Sequence, residues 1–159
     1  MDLQTSITAA FLSLLPISEL RGAIPFVMAH GWSWWVSWLY CVGFNALVSP
    51  LAFLFLATFH KLFLTWNWYR ALFERVVEST RKKVHDKIER YGYWGVTLFV
   101  AVPLPITGAW TGTLGGWLFG LDRKKTILAC LVGVSISGTI VTLVVTLGIS
   151  ALSIFTKHI

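Results

Sequence analysis

Charged residues are scarce in this chain. Asp, Glu, Lys and Arg make up 13% of its 159 residues, about half of the roughly 25% that is typical of soluble domains. Hydrophobic residues make up 56%, which excludes a soluble globular domain and a disordered chain. Three stretches carry no charge at all: residues 31–59, 91–121 and 126–156. Each exceeds the roughly 20 apolar residues that cross a bilayer core, so the sequence predicts a single membrane domain over residues 1–159.

Cysteine and histidine are also few. The two cysteines, Cys41 and Cys130, both lie in apolar stretches, which argues against a disulfide framework. The four histidines show no metal-ligand spacing, and no nucleophile and base form a recognisable catalytic pattern. We therefore expect no metal, no cofactor and no enzyme activity.

The excess of positive charge fits a membrane topology better than a nucleic-acid partner. The net charge is +6, and eight of the 13 Lys and Arg residues lie between residues 61 and 90. Three more follow one another from Arg123 to Lys125. Short basic loops beside apolar spans mark the cytoplasmic side. We therefore expect no nucleic acid to bind. We place the chain in the cytoplasmic (inner) membrane, with the linker 61–92 and the loop 121–126 in the cytoplasm.

The chain has the marks of an internal duplication. The sequence Leu-Pro-Ile-Ser at 15–18 recurs as Leu-Pro-Ile-Thr at 104–107, 89 residues later. The same offset relates Cys41 to Cys130. We divide the chain into repeat 1 at about 5–60 and repeat 2 at about 94–155. Each repeat is a proline-broken apolar segment followed by an unbroken one.

Residues 66–91 join the two repeats. Apolar residues recur there at steps of three and four, which predicts an amphipathic helix. Opposite charges four residues apart, such as Glu78 and Lys82, support the same helix. It lies on the cytoplasmic surface of the membrane in this interpretation; a solvated linker helix is the alternative.

Charge also predicts the topology. The linker and the loop 121–126 can both be cytoplasmic only if residues 93–121 enter and leave on the same side. We therefore predict a re-entrant hairpin there, and the same plan upside down in repeat 1, with both termini outside. The fold class is an all-α integral membrane protein with two inverted repeats. Each repeat is a re-entrant helical hairpin plus a transmembrane helix, a plan found in transporters. The alternative of four plain, kinked spans puts Arg123–Lys125 outside, against the charge rule.

Prolines, which lack a backbone donor and oppose a continuous helix, are expected at the hairpin breaks. The candidates are Pro16, Pro25, Pro103 and Pro105. After each break a new half-helix begins, near Ser18 and near Thr107. The two half-helices would then point their N-termini at the membrane midplane, where broken helices of transporters bind their substrates.

Glu19 and Arg21 are the only ionisable groups expected at membrane depth. Each costs on the order of 2.5–3.5 kcal/mol at a helix centre, and such groups usually mark a transport path. A structural ion pair, or Glu19 as a helix-capping acid after Ser18, is the alternative. Arg21 offers a planar charged fork suited to phosphate, and Glu19 offers a group that could exchange a proton.

This geometry favours an anionic ligand, because free N–H groups at helix N-termini attract phosphate and carboxylate. The candidate substrate-binding residues are Glu19, Arg21, Ser18, Gly22, Thr107, Trp110, Thr111 and Asn45. For Asn45, an interhelical hydrogen bond is the stronger interpretation. Glycines at four-residue spacing are assigned first to helix packing; they are Gly108, Gly112, Gly116 and Gly120.

Two segments resemble the small multidrug export protein family: residues 16–25, Pro-Ile-Ser-Glu-Leu-Arg-Gly-Ala-Ile-Pro, and residues 99–112, which end in Thr-Gly-Ala-Trp-Thr-Gly. That family is distantly similar to the DedA and VTT membrane proteins. Those proteins have paired re-entrant hairpins and are implicated in moving lipids such as undecaprenyl phosphate. The resemblance implies that Glu19 and Arg21 match the acidic and basic hairpin residues of the wider group. DedA proteins usually carry charge in both hairpins, whereas the second hairpin here has none.

Three functions follow from these observations. The first is a transporter or flippase of an amphiphilic anion, above all a polyprenyl (undecaprenyl-type) phosphate lipid carrier, with proton coupling through Glu19 and with Arg21 at the phosphate. The second is export of small, often cationic, drugs, which the permanent charge of Arg21 opposes. The third is a non-transporting membrane scaffold. The expected partners are membrane lipid, the anionic amphiphile or small-molecule substrate, protons, and a second copy of the chain in a homodimer.

Overall fold

The computed structural model describes residues 2–58, 71, 73–75, 77–78, 91–104 and 107–156, and the side chains of these up to residue 148. This part of the chain forms helices and no strand. Seven helices have defined bounds: α1 Leu3–Leu14, α2 Glu19–Ala29, α3 Trp34–Ala46, α4 Val48–Thr58, α5 Tyr93–Ala101, α6 Ala109–Leu118 and α7 Arg123–Thr156. The prediction of an all-helical protein is confirmed.

Two of the helical stretches are long and apolar enough to cross a membrane. They are Trp34–Thr58, which contains α3 and α4, and Arg123–Gly148, the larger part of α7. The first is interrupted at Leu47, between α3 and α4. Pro50 explains the position of this interruption, because a proline removes the hydrogen bond to the carbonyl four residues earlier, and that residue is Ala46, the last of α3.

The other four helices are too short to cross. They have 12, 11, 9 and 10 residues, so each is about 14–18 Å long at 1.5 Å per residue. A bilayer core is about 30 Å thick. They pack in pairs: α1 contacts α2 and both contact α3, whereas α5 contacts α6 and both contact α7. Each long stretch therefore packs against the pair of short helices that precedes it.

A short non-helical break separates the two helices of each pair. The first break is residues 15–18, and Pro16 lies inside it. The second lies between α5 and α6, with Pro103 inside it; Pro105 lies outside the described residues. Pro25 is different, because it is inside α2 and does not break it. Its missing N–H removes one helix hydrogen bond, the one to the carbonyl of Arg21 near the start of α2, and membrane helices tolerate such a loss.

The helix bounds follow the offset of 89 residues. Moved by that offset, α2 would run from 108 to 118, and α6 is Ala109–Leu118. The long stretch beginning at Trp34 would begin at 123, and α7 begins at Arg123. The bounds of these helices therefore recur at the same offset as the two Leu-Pro-Ile sequences.

The two long stretches run antiparallel. Trp38 donates from Nε1 to Thr139 Oγ1 at 3.1 Å, and further along the first stretch the Phe53 ring lies 5.8 Å from the guanidinium carbon of Arg123. Higher numbers in one stretch thus meet lower numbers in the other. As a result, Trp34 and Arg123, where the two stretches begin, lie at opposite ends of the bundle.

The interior between the helices is closely packed by small residues. A Cβ on Gly112 would collide with Val100 of α5, and a Cβ on Gly116 would collide with Thr126 of α7. Gly120 differs, since a Cβ there would meet nothing; it adopts φ +67° in the turn before α7. Left-handed backbone of this kind favours glycine.

Most of the predicted linker helix 66–91 lies outside the described residues. Residues 71, 73–75, 77 and 78 are helical. The ring of Phe73 packs edge-on against Trp117 of α6, with 6.2 Å between centroids. This stretch of the linker therefore contacts the helix bundle through an aromatic residue.

Candidate functional site at the two helix breaks

Glu19 is the first residue of α2, and its backbone has an unusual conformation. Its φ is +45°, which no other non-glycine residue of the described chain shares. Left-handed backbone is uncommon outside glycine, and strained residues of this kind cluster at functional sites. The residue is also 94% buried, with 6% of its surface exposed. The chain therefore holds a buried acid in a costly conformation beside the first break.

The Glu19 carboxylate reaches across to the second repeat. It accepts hydrogen bonds from the backbone N–H groups of Ala109 and Trp110, the first two residues of α6. These N–H groups have no partner within their own helix, and the helix dipole adds positive potential there. A carboxylate in this position is therefore bound in the way that helix N-termini bind anions.

Gly108 makes this contact possible. A Cβ at residue 108 would lie inside the Glu19 carboxylate. The backbone also has φ +152° and ψ −172° at this position, a region that is essentially restricted to glycine. The spacing of Gly108 predicts a role in helix packing. In the structure this glycine instead lies directly against the Glu19 carboxylate.

Arg21 also binds the second repeat. Its Nη2 donates to the carbonyl oxygen of Thr107 at 3.1 Å, and the side chain is partly buried. Glu19 and Arg21 are described in full and form no ion pair with each other; each is held by the backbone of the second break instead. The contacts that hold the two side chains are therefore to the second break, and Arg21 acts on the Glu19 carboxylate through its charge.

The second repeat returns the contact. Trp110 donates from Nε1 to the carbonyl oxygen of Leu14 at 2.8 Å. Leu14 is the last residue of α1, so this bond pairs a carbonyl that has no partner within its helix. Residues 21 and 110 are 89 apart, which makes them equivalent under the duplication. Each therefore donates to a backbone carbonyl at the break of the other repeat.

The hydroxyls of the two breaks have local roles. Thr107 Oγ1 lies within hydrogen-bond distance of the carbonyls of Val102 and Leu104, at 2.6 and 2.8 Å, and closes its own loop. Ser18 stands at the N-cap position of α2 without a capping hydrogen bond. Its Oγ lies where a Cβ on Gly22 would be. The new half-helix of repeat 2 begins at Ala109, two residues later than the proposed start near Thr107.

Thr111 and Asn45 lie away from the carboxylate contacts. Thr111 is half-buried in the first turn of α6. Asn45 is 1% exposed and donates from Nδ2 to the carbonyl oxygen of Ser13 at 2.6 Å. That bond is the interhelical contact expected of Asn45, and it caps the end of α1. Its Oδ1 has no hydrogen-bond partner in the described structure.

Two buried hydroxyls near the site were missed by the sequence analysis. Ser49 Oγ lies 2.8 Å from Thr113 Oγ1, and both residues are at most 1% exposed. Thr113 also contacts Cys130 Sγ at 3.5 Å. Serine and threonine inside an apolar helix can always satisfy themselves on their own backbone. Sequence alone therefore gives no signal that these two form a bond between α4 and α6.

The arrangement can hold an anion and can exchange a proton. Two backbone N–H groups and one guanidinium converge beside one carboxylate. Among the described residues no cluster of three His, Cys, Asp or Glu side chains could hold a metal ion.

Comparison with known proteins agrees with a membrane transport family. Residues 19–140, more than half of the chain, match the family model described as “Putative small multi-drug export protein”. The match begins at Glu19, directly after the first break, and includes Arg21 and the whole of the second break. No curated protein and no solved structure matches the chain. The chain belongs to the small multi-drug export protein family.

Proposed function

We propose that the chain is a transporter of an amphiphilic anion, above all a polyprenyl phosphate lipid carrier, and that the anionic group binds at the N-terminus of α6. One observation supports this most. The Glu19 carboxylate lies on the N–H groups of Ala109 and Trp110, and a phosphate oxygen is the same kind of acceptor. In this proposal Glu19 occupies the position of the head group while the site is empty.

The surroundings of the breaks favour an amphiphile over a small hydrophilic anion. Ile17 in the first break is 91% exposed, and Leu104 in the second is 55% exposed. Exposed apolar side chains are compatible with contact to lipid hydrocarbon chains. A lipid could therefore place its phosphate at α6 while its tail runs along these residues, and a free anion would gain nothing from them.

Competition between Glu19 and the head group gives a mechanism. Protonation of Glu19 removes its negative charge and weakens its bonds to the two N–H groups, since charge-assisted bonds are about twice as strong as neutral ones. The phosphate then takes these N–H groups, and Arg21 turns from the Thr107 carbonyl to the phosphate. Loss of the proton returns Glu19 to α6 and expels the anion. Each cycle thus couples one proton to one head group.

The proposed topology is the inverted repeat of two re-entrant hairpins in the cytoplasmic membrane, with both termini outside. The short paired helices, the offset of 89 residues and the antiparallel long stretches support it. In this topology the loop 121–126 is cytoplasmic, whereas Ser33 is on the outer side.

We expect a Lys124→Cys variant in intact cells to resist a membrane-impermeant maleimide, and a Ser33→Cys variant to react. Both positions are exposed, and the native Cys41 and Cys130 are buried, so the unaltered chain serves as the blank. Mass-shift labelling before and after permeabilisation measures the difference. Labelling at residue 124 before permeabilisation would contradict the hairpin topology and favour four spans.

The binding proposal predicts that purified Arg21→Ala carries less polyprenyl phosphate than the unaltered chain, by a factor of about ten or more. A hydrogen bond to a charged group contributes about 1.5–3 kcal/mol, and each 1.4 kcal/mol is tenfold in affinity. Native mass spectrometry of both proteins in mild detergent measures the bound lipid. Arg123→Ala is the matched control, because Arg123 is exposed and stands at the start of α7. Equal retention by Arg21→Ala would overturn the proposal.

Export of small cationic drugs is the second candidate, and the description of the family favours it. It needs Glu19 as the binding group, and it predicts that Arg21→Ala improves export because a competing positive charge is removed. Efflux of a fluorescent cationic dye from cells that carry Glu19→Gln or Arg21→Ala separates the two candidates. If neither variant alters dye efflux or lipid retention, the chain acts as a scaffold.

A further inference from the structure

A second polar site lies at the end of the bundle where the first long stretch begins. The pocket has a volume of about 340 Å³ and is lined by Asp2, Thr5, His30, Gly31, Trp32, Ser33 and Val36. It is separate from the helix breaks, since no residue of the breaks lines it. His30 forms one wall, held by a 2.8 Å contact of Nδ1 with the Phe26 carbonyl oxygen and by the Phe26 ring.

Two helix N-termini open into this pocket. Asp2 and Ser33 are the N-cap residues of α1 and α3. Thr5 and Val36, three positions further on in each helix, line the same pocket. Neither N-cap side chain makes a capping hydrogen bond. The first-turn N–H groups of both helices therefore lack side-chain caps beside the pocket, and such groups attract a phosphate.

Asp122 shows what a satisfied N-cap looks like in the same chain. Its Oδ1 accepts from the backbone N–H of Lys125 at 3.0 Å, in the first turn of α7. Asp2 has the same residue type at the same helical position but leaves its carboxylate unused at α1. The Asp2 carboxylate is thus free to bind a cationic group.

Thr5 is the second observation that points to a ligand. It is 93% buried, with 7% of its surface exposed, and it lines the pocket. Its hydroxyl makes no hydrogen bond to any described residue, whereas Ser6 and Thr8 in the same helix bond to backbone carbonyls. Since Thr5 lines the pocket, a ligand in the pocket could hydrogen-bond this hydroxyl.

We infer that this pocket binds the head group of a zwitterionic phospholipid that carries a primary ammonium, as in phosphatidylethanolamine. The phosphate accepts from the N–H groups at the starts of α1 and α3, and the ammonium donates to Asp2 and Thr5. An anionic head group alone would meet the Asp2 carboxylate. The depth is suitable, because Trp34 and Trp35 beside the pocket are 61% and 57% exposed, and tryptophan concentrates at the head-group level.

The test is native mass spectrometry of the full chain with phosphatidylethanolamine and phosphatidylglycerol of identical acyl chains. We expect the unaltered protein to prefer phosphatidylethanolamine by about fivefold, which is what an interaction of about 1 kcal/mol produces. Asp2→Asn should reduce the preference to about one, and Thr5→Val should lower retention of phosphatidylethanolamine. Asp122→Asn should leave the preference unchanged.

Two further measurements keep the test decisive. The thermal unfolding of Asp2→Asn without added lipid should match that of the unaltered protein, because Asp2 makes no cap, so a loss of preference is not a loss of fold. Arg21→Ala should keep the preference, which separates this site from the proposed transport site. Equal binding of both lipids by the unaltered protein, an unchanged preference in Asp2→Asn, or Asp2-dependent binding of a divalent metal in place of lipid would each overturn the inference.

Discussion

Glu19→Gln is expected to retain more polyprenyl phosphate than the unaltered chain and to transport it at least about tenfold more slowly. The glutamine amide has the shape of the carboxylate but no charge, so it holds the N–H groups of Ala109 and Trp110 more weakly. The head group then competes better for α6. Because glutamine cannot lose a proton, it cannot return to α6 as an anion and expel the ligand. A loss of about 1.4 kcal/mol in this competition accounts for a tenfold change.

The two effects are measured by native mass spectrometry and by a lipid translocation assay in vesicles. Glu74→Gln is the matched control, because Glu74 is exposed in the linker; it should change neither. The expected effect on lipid retention is thus opposite for the two residues. Glu19→Gln should raise retention, whereas Arg21→Ala should lower both retention and transport. If Glu19→Gln transports at the normal rate, or loses the ligand as Arg21→Ala does, the competition mechanism is wrong.

Gly108→Ala is expected to abolish transport, with a loss of at least tenfold, and to lower thermal stability. Two causes act together. The new methyl group would occupy the space of the Glu19 carboxylate, and alanine would be forced into a backbone region that costs on the order of 1–3 kcal/mol. The backbone must move, and the contact between Glu19 and α6 is lost with it.

Matched glycine variants separate this effect from general damage. A Cβ on Gly43 of α3 would meet nothing within 4 Å, so Gly43→Ala should keep full transport. Gly112→Ala should lower the unfolding temperature through its collision with Val100, with transport lost only in proportion to folded protein. Normal transport in folded Gly108→Ala protein would show that the Glu19 contact is not needed.

Much of this architecture is legible in the sequence. The absence of charge marks the two long stretches, and proline chemistry marks the breaks near Pro16 and Pro103. Glu19 and Arg21 are conspicuous because charge at membrane depth is expensive. These features depend on local composition and backbone chemistry, which can be recognised in the sequence without knowing how the helices pack.

The hydrogen-bond partners of these residues could not be predicted from the sequence. Arg21 meets Thr107, and Trp110 meets Leu14, across 86 and 96 residues of chain. The packing of the helices determines which residues meet in this way, and residue spacing along the sequence does not predict that packing. The pocket around Asp2 could not be predicted from the sequence either. It is formed where α1, α2 and α3 come together and not by any one segment.

The missing charge in the second hairpin has a structural explanation. Gly108 is the equivalent of Glu19 under the offset of 89 residues, and the Glu19 carboxylate rests on it. The Glu19 carboxylate takes the space that a side chain at residue 108 would need, so a second acid would have no place there.

The most direct test of the account is a binding titration of the purified chain in nanodiscs with polyprenyl phosphate and with the neutral polyprenol of the same length. The account predicts that the phosphate binds at least about tenfold more tightly, since it alone can replace Glu19 at the N-terminus of α6. It also predicts that Arg21→Ala removes most of that difference. Equal affinity for the two lipids would contradict the claim that this site binds an anionic head group.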